Sequence, residues 1–441
     1  FFLEGTGLFQ YGTSGSGGSG GNPLQLFHSR QIATQLPDGQ KIPIDVAGKL
    51  SGKIGNWQVG LMNVQGGKID YFGGAATEPK TSYSVARLRK NILGRSSVGF
   101  IGLLKDPQRE KDPQRDWYNG VLGIDGEFFF GPTRQVEVLV AKSRTPRNRW
   151  TNAVTKPEEE WAMVAGTRWR SSMWGYSLYY ADIGKDFMDE MGFVPRIDMR
   201  RYSANLSITP LIRKMGIRSS WSGMSFNYIT DRENTLKTRE IDVNPTFQFE
   251  NGMWVWGGVN NTHDVLDLNI SIAGIDFSKG GYTYTVFYAG LQTSRGARVS
   301  GEGSINIGQF YDADLQRASA ALLIKPFTGL SLNPTFDWSR LEREDGSITR
   351  KGVSRVLSLR ARKAITPDFY VSAYIQNRRT TDQNDQTTKT FISNALVAYQ
   401  TPTGHAFYLA YNEFQEYNTL RERWEAVDRV LLAKLSYLWN I

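Results

Sequence analysis

The chain has 441 residues, a formal net charge of +9, 12% aromatic residues, 45 Gly and no Cys. The absence of Cys excludes disulfides, thiolate metal sites and Cys nucleophiles, and suits a chain that crosses the periplasm unfolded. Mean hydropathy is −0.40 and no run approaches the roughly 20 apolar residues of a membrane helix. Basic residues are dispersed and no DNA or RNA module accompanies them, so nucleic acid is excluded as a partner.

The chain opens on Phe1-Phe2-Leu3-Glu4-Gly5. It shows no charged n-region, apolar h-region or cleavage site, and so reads either as a chain whose signal was removed or, the favoured reading, as the C-terminal part of a longer precursor. Residues 1–42 form an N-terminal segment, read as a first strand over 2–12 or as a lumen plug. Within it the Gly/Ser tract at 12–21 reads as a flexible loop. Length alone suggests about three soluble domains, but no composition shift separates them, and residues 43–441 read as one continuous domain.

From Val46 onward the dominant signal is period-2 alternation, which gives a strand one face for each of two environments. Leu122, Ile124, Phe128 and Phe130 oppose Asp125 and Glu127. Trp174, Tyr176, Leu178 and Tyr180 oppose Gly175, Ser177, Tyr179 and Ala181. Tyr202, Ala204, Leu206 and Ile208 oppose Arg201, Ser203, Asn205 and Ser207. Ile241, Val243, Pro245, Phe247 and Phe249 oppose Asp242, Asn244, Thr246, Gln248 and Glu250. The cleanest case sets Leu330, Leu332, Pro334, Phe336 and Trp338 against Ser331, Asn333, Thr335, Asp337 and Ser339. Pro245 and Pro334 within strands point either to bulges or to strand boundaries that fall elsewhere.

Short turns fall near Gly55-Asn56, Gly94-Arg95, Gly131-Pro132, Ser171-Ser172, Asn251-Gly252, Thr328-Gly329, Thr366-Pro367 and Pro402-Thr403-Gly404. Longer polar connections fall between them, including 67–80, 106–114, 145–158, 184–198, 267–280, 344–353, 382–388 and 417–426. The predicted fold is all-β: a transmembrane antiparallel β-barrel of about 18–22 strands, with short periplasmic turns and long outer loops. Counting hairpins gives roughly 21 strands. The last strand, with Leu431, Ala433, Leu435, Tyr437, Trp439 and Ile441 on one face, reads as the signal that barrel-assembly machinery recognises.

Several motifs in order then carry a family resemblance. They are Phe1-Phe2-Leu3-Glu4-Gly5 with Leu8-Phe9, and Phe27-His28-Ser29-Arg30-Gln31-Ile32. Ala47–Lys53, Leu93–Gly99 and Ala141–Pro146 follow, then Gly192–Arg196 with Arg200-Arg201-Tyr202. Together they resemble the DUF5916 outer-membrane family, with His28 and Gln31 departing from the commoner Tyr and Arg. The resemblance implies a bacterial outer-membrane location and an upstream domain like family 9 carbohydrate-binding modules. It implies no activity.

No catalytic constellation stands out. His28, His263 and His405 are far apart and lack metal-ligand spacing, so no metal, cofactor or enzyme activity is expected. Asn260, Asn261, His263 and Asp264 form the one cluster from which a rim hydrolase could be built. Arg144, Arg147 and Arg149 could meet lipopolysaccharide phosphates, and the acidic run at 158–160 could meet cations. Arg168, Arg170, Arg201, Asp125, Glu127, Asp242 and Asp337 are the candidate pore-lining residues. Such a lumen suits a pore or transport scaffold for small solutes, anionic or carbohydrate-like. The competing reading is an occluded barrel that holds a periplasmic or surface partner, the inward charges pairing to stiffen the wall. Both sit among outer-membrane lipid and lipopolysaccharide.

Overall fold

The computed structural model describes residues 6–9, 23–33, 36–108, 118–147, 154–272, 274–346, 348–402 and 404–436. The Gly/Ser tract, Arg149 and residues 437–441 of the terminal signal lie outside them.

The chain runs through β1 (Ile44–Ile54), β2 (Trp57–Gly66), a ribbon of β3 (Ile69–Tyr71) and β4 (Ala76–Glu78), then β5 (Thr81–Ile92), β6 (Ser96–Pro107) and β7 (Asn119–Phe130). It continues through β8 (Arg134–Arg147), β9 (Val154–Arg170), β10 (Trp174–Ile183), β11 (Met199–Ile208), β12 (Leu211–Lys214), β13 (Ile217–Ser220) and β14 (Ser222–Thr230). Next come β15 (Leu236–Asn244), β16 (Thr246–Phe249), β17 (Trp254–Leu266), a ribbon of β18 (Ile270–Ile272) and β19 (Ile275–Phe277), and β20 (Gly280–Gln292). The last are β21 (Val299–Phe310), β22 (Ala313–Ile324), β23 (Leu330–Asp345), β24 (Ile348–Ala364), β25 (Phe369–Thr381), β26 (Thr387–Gln400), β27 (Ala406–Asn418) and β28 (Arg423–Ser436).

The two ribbons apart, these make one antiparallel sheet of 24 strands. Three traverses are interrupted, at Thr209-Pro210, Trp221 and Pro245, so the expected count of about 21 becomes 24 segments. Proline explains two of the breaks, because it has no N–H for the ladder. Pro334 behaves otherwise and stays within β23, paired with Leu359. There the Asn333 Nδ2 donates to the Leu322 carbonyl at 2.6 Å, supplying the bond that proline lacks.

The loop asymmetry holds through the connection between β17 and β20 and is lost after it. Connections predicted at 344–353 and 417–426 shrink to tight turns, because β23, β24 and β28 run on through their polar ends. Alternating Thr, Arg and Glu residues extend a strand as well as apolar ones when a ladder partner is present.

The strands fall into two compact units: Phe1–Ser207 with Met224–Glu240, and Ile208–Gly223 with Ile241–Ile441. In the first unit one sheet face is covered and the other open. On β7, Asn119 and Val121 are 1% exposed while Leu122 and Ile124 are 58% and 65% exposed. Leu61, Phe100, Leu104, Trp161, Leu178, Tyr202 and Leu206 share the open face and are likewise exposed. In the second unit Phe287, Ile305, Ile307, Leu322, Phe336 and Leu357 are exposed. Opposite them the polar face carries Thr335 bonded to Ser358 at 2.7 Å and Ser304 bonded to Ser319 at 2.8 Å. The second ribbon brings Ile275 and Phe277 against Leu266, Ala313 and Leu341.

The covered face of the first unit is filled by two segments. Thr6–Phe9 is a helical turn rather than a strand, and Phe9, Leu24, Leu26, Phe27 and Ile32 join Met62, Val64, Tyr83, Val85 and Ile101 in one apolar cluster. The connection at 184–198 adds Phe187 and Met191. Gln25 and Phe193 exchange backbone bonds of 3.0 and 2.7 Å, so the two segments brace each other. Strand side chains pin the connection. Asn119 Nδ2 donates to the Met188 carbonyl, Ser143 Oγ accepts from the Met188 N–H, and Lys105 pairs with Glu190 at 2.8 Å.

Candidate functional site

Toward the short-turn ends of β5–β10, the covered face of the first unit changes from apolar to charged. Period 2 carries this change along single strands: on β5 the face reads Thr81, Tyr83, Val85, Arg87, Arg89. Arg87 donates two bonds of 2.8 Å to Asp125. Arg89 reaches Ser97 Oγ and Glu127 at 2.9 Å each, and Gln135 donates to the other Glu127 oxygen at 2.6 Å. Arg168 in turn donates to Gln135 Oε1.

The longest of these contacts skip a strand, and glycine makes the skip possible. Arg87 on β5 reaches Asp125 on β7 across Gly99 of β6, where a Cβ would lie 2.4 Å from both side chains. Tyr179 on β10 bonds Glu137 on β8 across Gly166 of β9, whose Cβ would lie 2.3 Å from the ring. In the second unit Tyr288 donates to Asp242 at 2.9 Å across Gly258, whose Cβ would lie 2.5 Å from the phenol. A glycine in the middle strand leaves a trough through which a long side chain reaches the next strand but one.

The candidate pore-lining residues occupy different settings. Asp125 and Glu127 belong to this charged belt. Arg168 and Arg170 line a recess of about 890 Å³ at the short-turn end of β7–β10. Arg201 is buried, bonded to Ser203 Oγ and to Asn227 Oδ1 at 2.8 Å. In the second unit Asp242 meets Tyr288, and Asp337 stands half-buried in register with Ser319 and Val356. The belt therefore joins Glu127 to Arg168 through Gln135, holds Asp125 in a separate pair with Arg87, and leaves Arg201 bonded to Ser203 and Asn227.

Sequence reasoning missed Arg87, Arg89, Arg95 and Glu137. Parity would have placed Arg87 and Arg89 opposite Ala86 and Leu88. Tyr83 and Val85 on the same face masked it, because those residues are covered by the N-terminal segment rather than by an outer environment.

The rim cluster does not assemble a catalytic group. His263 and Asp264 are consecutive strand residues and so point to opposite faces. His263 Nδ1 shares a 2.8 Å bond with Thr283 Oγ1, Asp264 accepts from Tyr311 at 3.3 Å, and Asn261 bonds Thr285. Arg144 and Lys142 both pair with Glu159. Among the described residues no group of three His, Asp or Glu is placed to hold a metal.

No protein-family model matches this chain, and no curated protein matches its sequence.

Proposed function

We propose that this chain is a bacterial outer-membrane β-barrel that forms a gated passage, or transport scaffold, for small anionic or carbohydrate-like solutes. One observation carries the reading: in the first unit, exposed Leu, Ile, Phe and Trp side chains cover one sheet face, while Arg, Asp and Glu occupy the other. A soluble protein hides the first set and exposes the second. A barrel wall does the reverse, since a lipid-facing Arg or Lys costs about 2–4 kcal/mol at the bilayer midplane. The resemblance to the DUF5916 family supports the same location, and with it an upstream carbohydrate-binding-like domain. By the same reading, lipid and lipopolysaccharide surround the open face, and the C-terminal strand serves barrel assembly.

A second reading, an occluded barrel that docks a partner, is favoured by the apolar packing of Leu24, Leu26, Phe27 and Ile32 on the covered face. Planar-bilayer recording separates the two. The passage reading expects stable conductance steps that grow when residues 1–42 are deleted. Silence from the folded chain, with and without that segment, would overturn it and favour the docking barrel.

A further inference from the structure

A groove of about 980 Å³ crosses the open face of the first unit, on the side away from the charged belt. Strand register builds it. Leu61, Ala86, Gly102, Leu122 and Lys142 stand opposite one another in turn on β2, β5, β6, β7 and β8. Ala86 and Gly102 leave a low floor between the exposed side chains of Leu61 and Leu122. The intervening Met62, Val85, Leu103 and Val121 turn their side chains into the covered cluster, so the groove meets only their backbone. Lys49, between the open-face residues Gly48 and Leu50, follows the same parity.

The next row, two residues nearer the long connections, is polar. It sets Asn63 opposite Ser84 on one side of Leu104 and Gly120, and Arg144 opposite Glu159 on the other. Asn63 Nδ2 donates to Ser84 Oγ at 2.8 Å. Lys142 pairs with Glu159 and lies 5.3 Å from the Trp161 ring centroid. Arg144 stands 3.6 Å from the same carboxylate, with a side chain 56% exposed. Two cations thus share one carboxylate, and this end of the groove keeps one positive charge among its described side chains.

An apolar trough that ends in an exposed guanidinium matches a ligand with a hydrocarbon chain and an anionic head. Guanidinium holds phosphate through paired N–H donors, and amide and hydroxyl groups match sugar hydroxyls. The polar end faces the long connections, the outer side in the barrel reading, where lipopolysaccharide forms the leaflet. We infer that this groove holds one lipid A unit, the phosphorylated and acylated sugar of lipopolysaccharide. One acyl chain lies over Ala86 and Gly102, a phosphate takes Arg144, and sugar hydroxyls face Asn63 and Ser84. The inference deepens the barrel reading and rests on it for the orientation of the chain.

The test is native mass spectrometry of the folded full chain in detergent, titrated with diphosphoryl lipid A and, separately, with phosphatidylglycerol. One lipid A should stay bound, and phosphatidylglycerol should bind about tenfold more weakly, lacking the sugar contacts. Arg144→Gln should weaken lipid A about tenfold, the loss of one charge-assisted contact. Gly102→Leu should do the same with every charge in place. A Cβ there would meet Leu122 and Phe100 at 3.6 and 3.8 Å, ordinary contact, so the larger side chain fills the groove without moving the backbone. Gly52→Leu, on the same face with open space around it, should leave binding unchanged. Binding that ignores Gly102→Leu and Arg144→Gln overturns the assignment, as does equal retention of phosphatidylglycerol, or a dimer that Gly102→Leu dissolves. Nitroxide-lipid quenching of a label at Leu122→Cys reports separately on the barrel reading: quenching without lipid A binding refutes the groove alone. Lipid A bound by a chain whose label at 122 is not quenched refutes the barrel reading and leaves the groove standing.

Discussion

Replacing Asp125 by Ala should be among the most destabilising single changes in the charged belt. The Arg87 side chain is 1% exposed and its two terminal nitrogens each sit 2.8 Å from an Asp125 oxygen. Removing one partner of a buried pair leaves a charge without compensation, a loss of roughly 3–5 kcal/mol. Asp125 itself is 23% exposed, so water reaches the site and the expected loss falls to about 2–3 kcal/mol. Urea unfolding of the detergent-folded chain, followed by tryptophan fluorescence, measures it. The double variant Arg87→Met/Asp125→Leu removes both charges and should recover most of the loss, which makes the coupling term large and favourable. If Asp125→Ala costs under about 0.5 kcal/mol, or if the double variant is as unstable as the sum of its singles, the pair does not hold these strands as argued.

Other consequences follow from individual contacts. Gly166→Val should displace Tyr179 from Glu137 and cost about 1–3 kcal/mol by overpacking, read as a lower unfolding midpoint, whereas Gly52→Val, with open space around it, should be near neutral. Asn333→Ala removes the side-chain substitute for the missing Pro334 donor and should cost about 1–2 kcal/mol, measured in the same unfolding assay. Asp189, in the connection at 184–198, has an Oδ2 shielded from solvent with no hydrogen-bond partner. Burial pushes its carboxyl well above its ordinary pKa, against the opposing pull of the Met191 and Gly192 N–H groups. Because the folded pKa is the higher one, its contribution is full at acid pH and is lost as pH rises from the ordinary carboxylate range through the raised value. Asp189→Asn should therefore protect 184–198 from proteolysis at neutral pH and flatten the pH dependence. Protection that rises with pH in the wild type would contradict this.

Alternation made the all-β class legible, along with the sides taken by Leu122, Ile124, Asp125, Glu127, Arg201 and Tyr202, because period 2 acts within each strand. What pairs with what was not legible. Arg87 meets Asp125 and Tyr179 meets Glu137 only because register sets Gly99 and Gly166 between them, and register is a property of neighbouring strands. The covered apolar patch was also hidden. Val64, Tyr83 and Ile101 read as a second apolar face without reason until Leu24, Leu26 and Phe27 are seen lying on them. Strand ends at 345 and 423 were misjudged because polar residues there resemble loop.

The most direct test of the account asks which face meets lipid. The chain has no native Cys, so single cysteines can be labelled cleanly at open-face positions, Leu122→Cys, Ile305→Cys and Leu357→Cys, and at polar-face positions, Asn306→Cys and Thr335→Cys. With a fluorophore at each site in reconstituted bilayers, nitroxide-labelled lipid should quench the first three and spare the other two. Aqueous iodide should quench none of the open-face labels. Iodide quenching at 122, 305 and 357 with no effect of nitroxide lipid would contradict a membrane-spanning barrel.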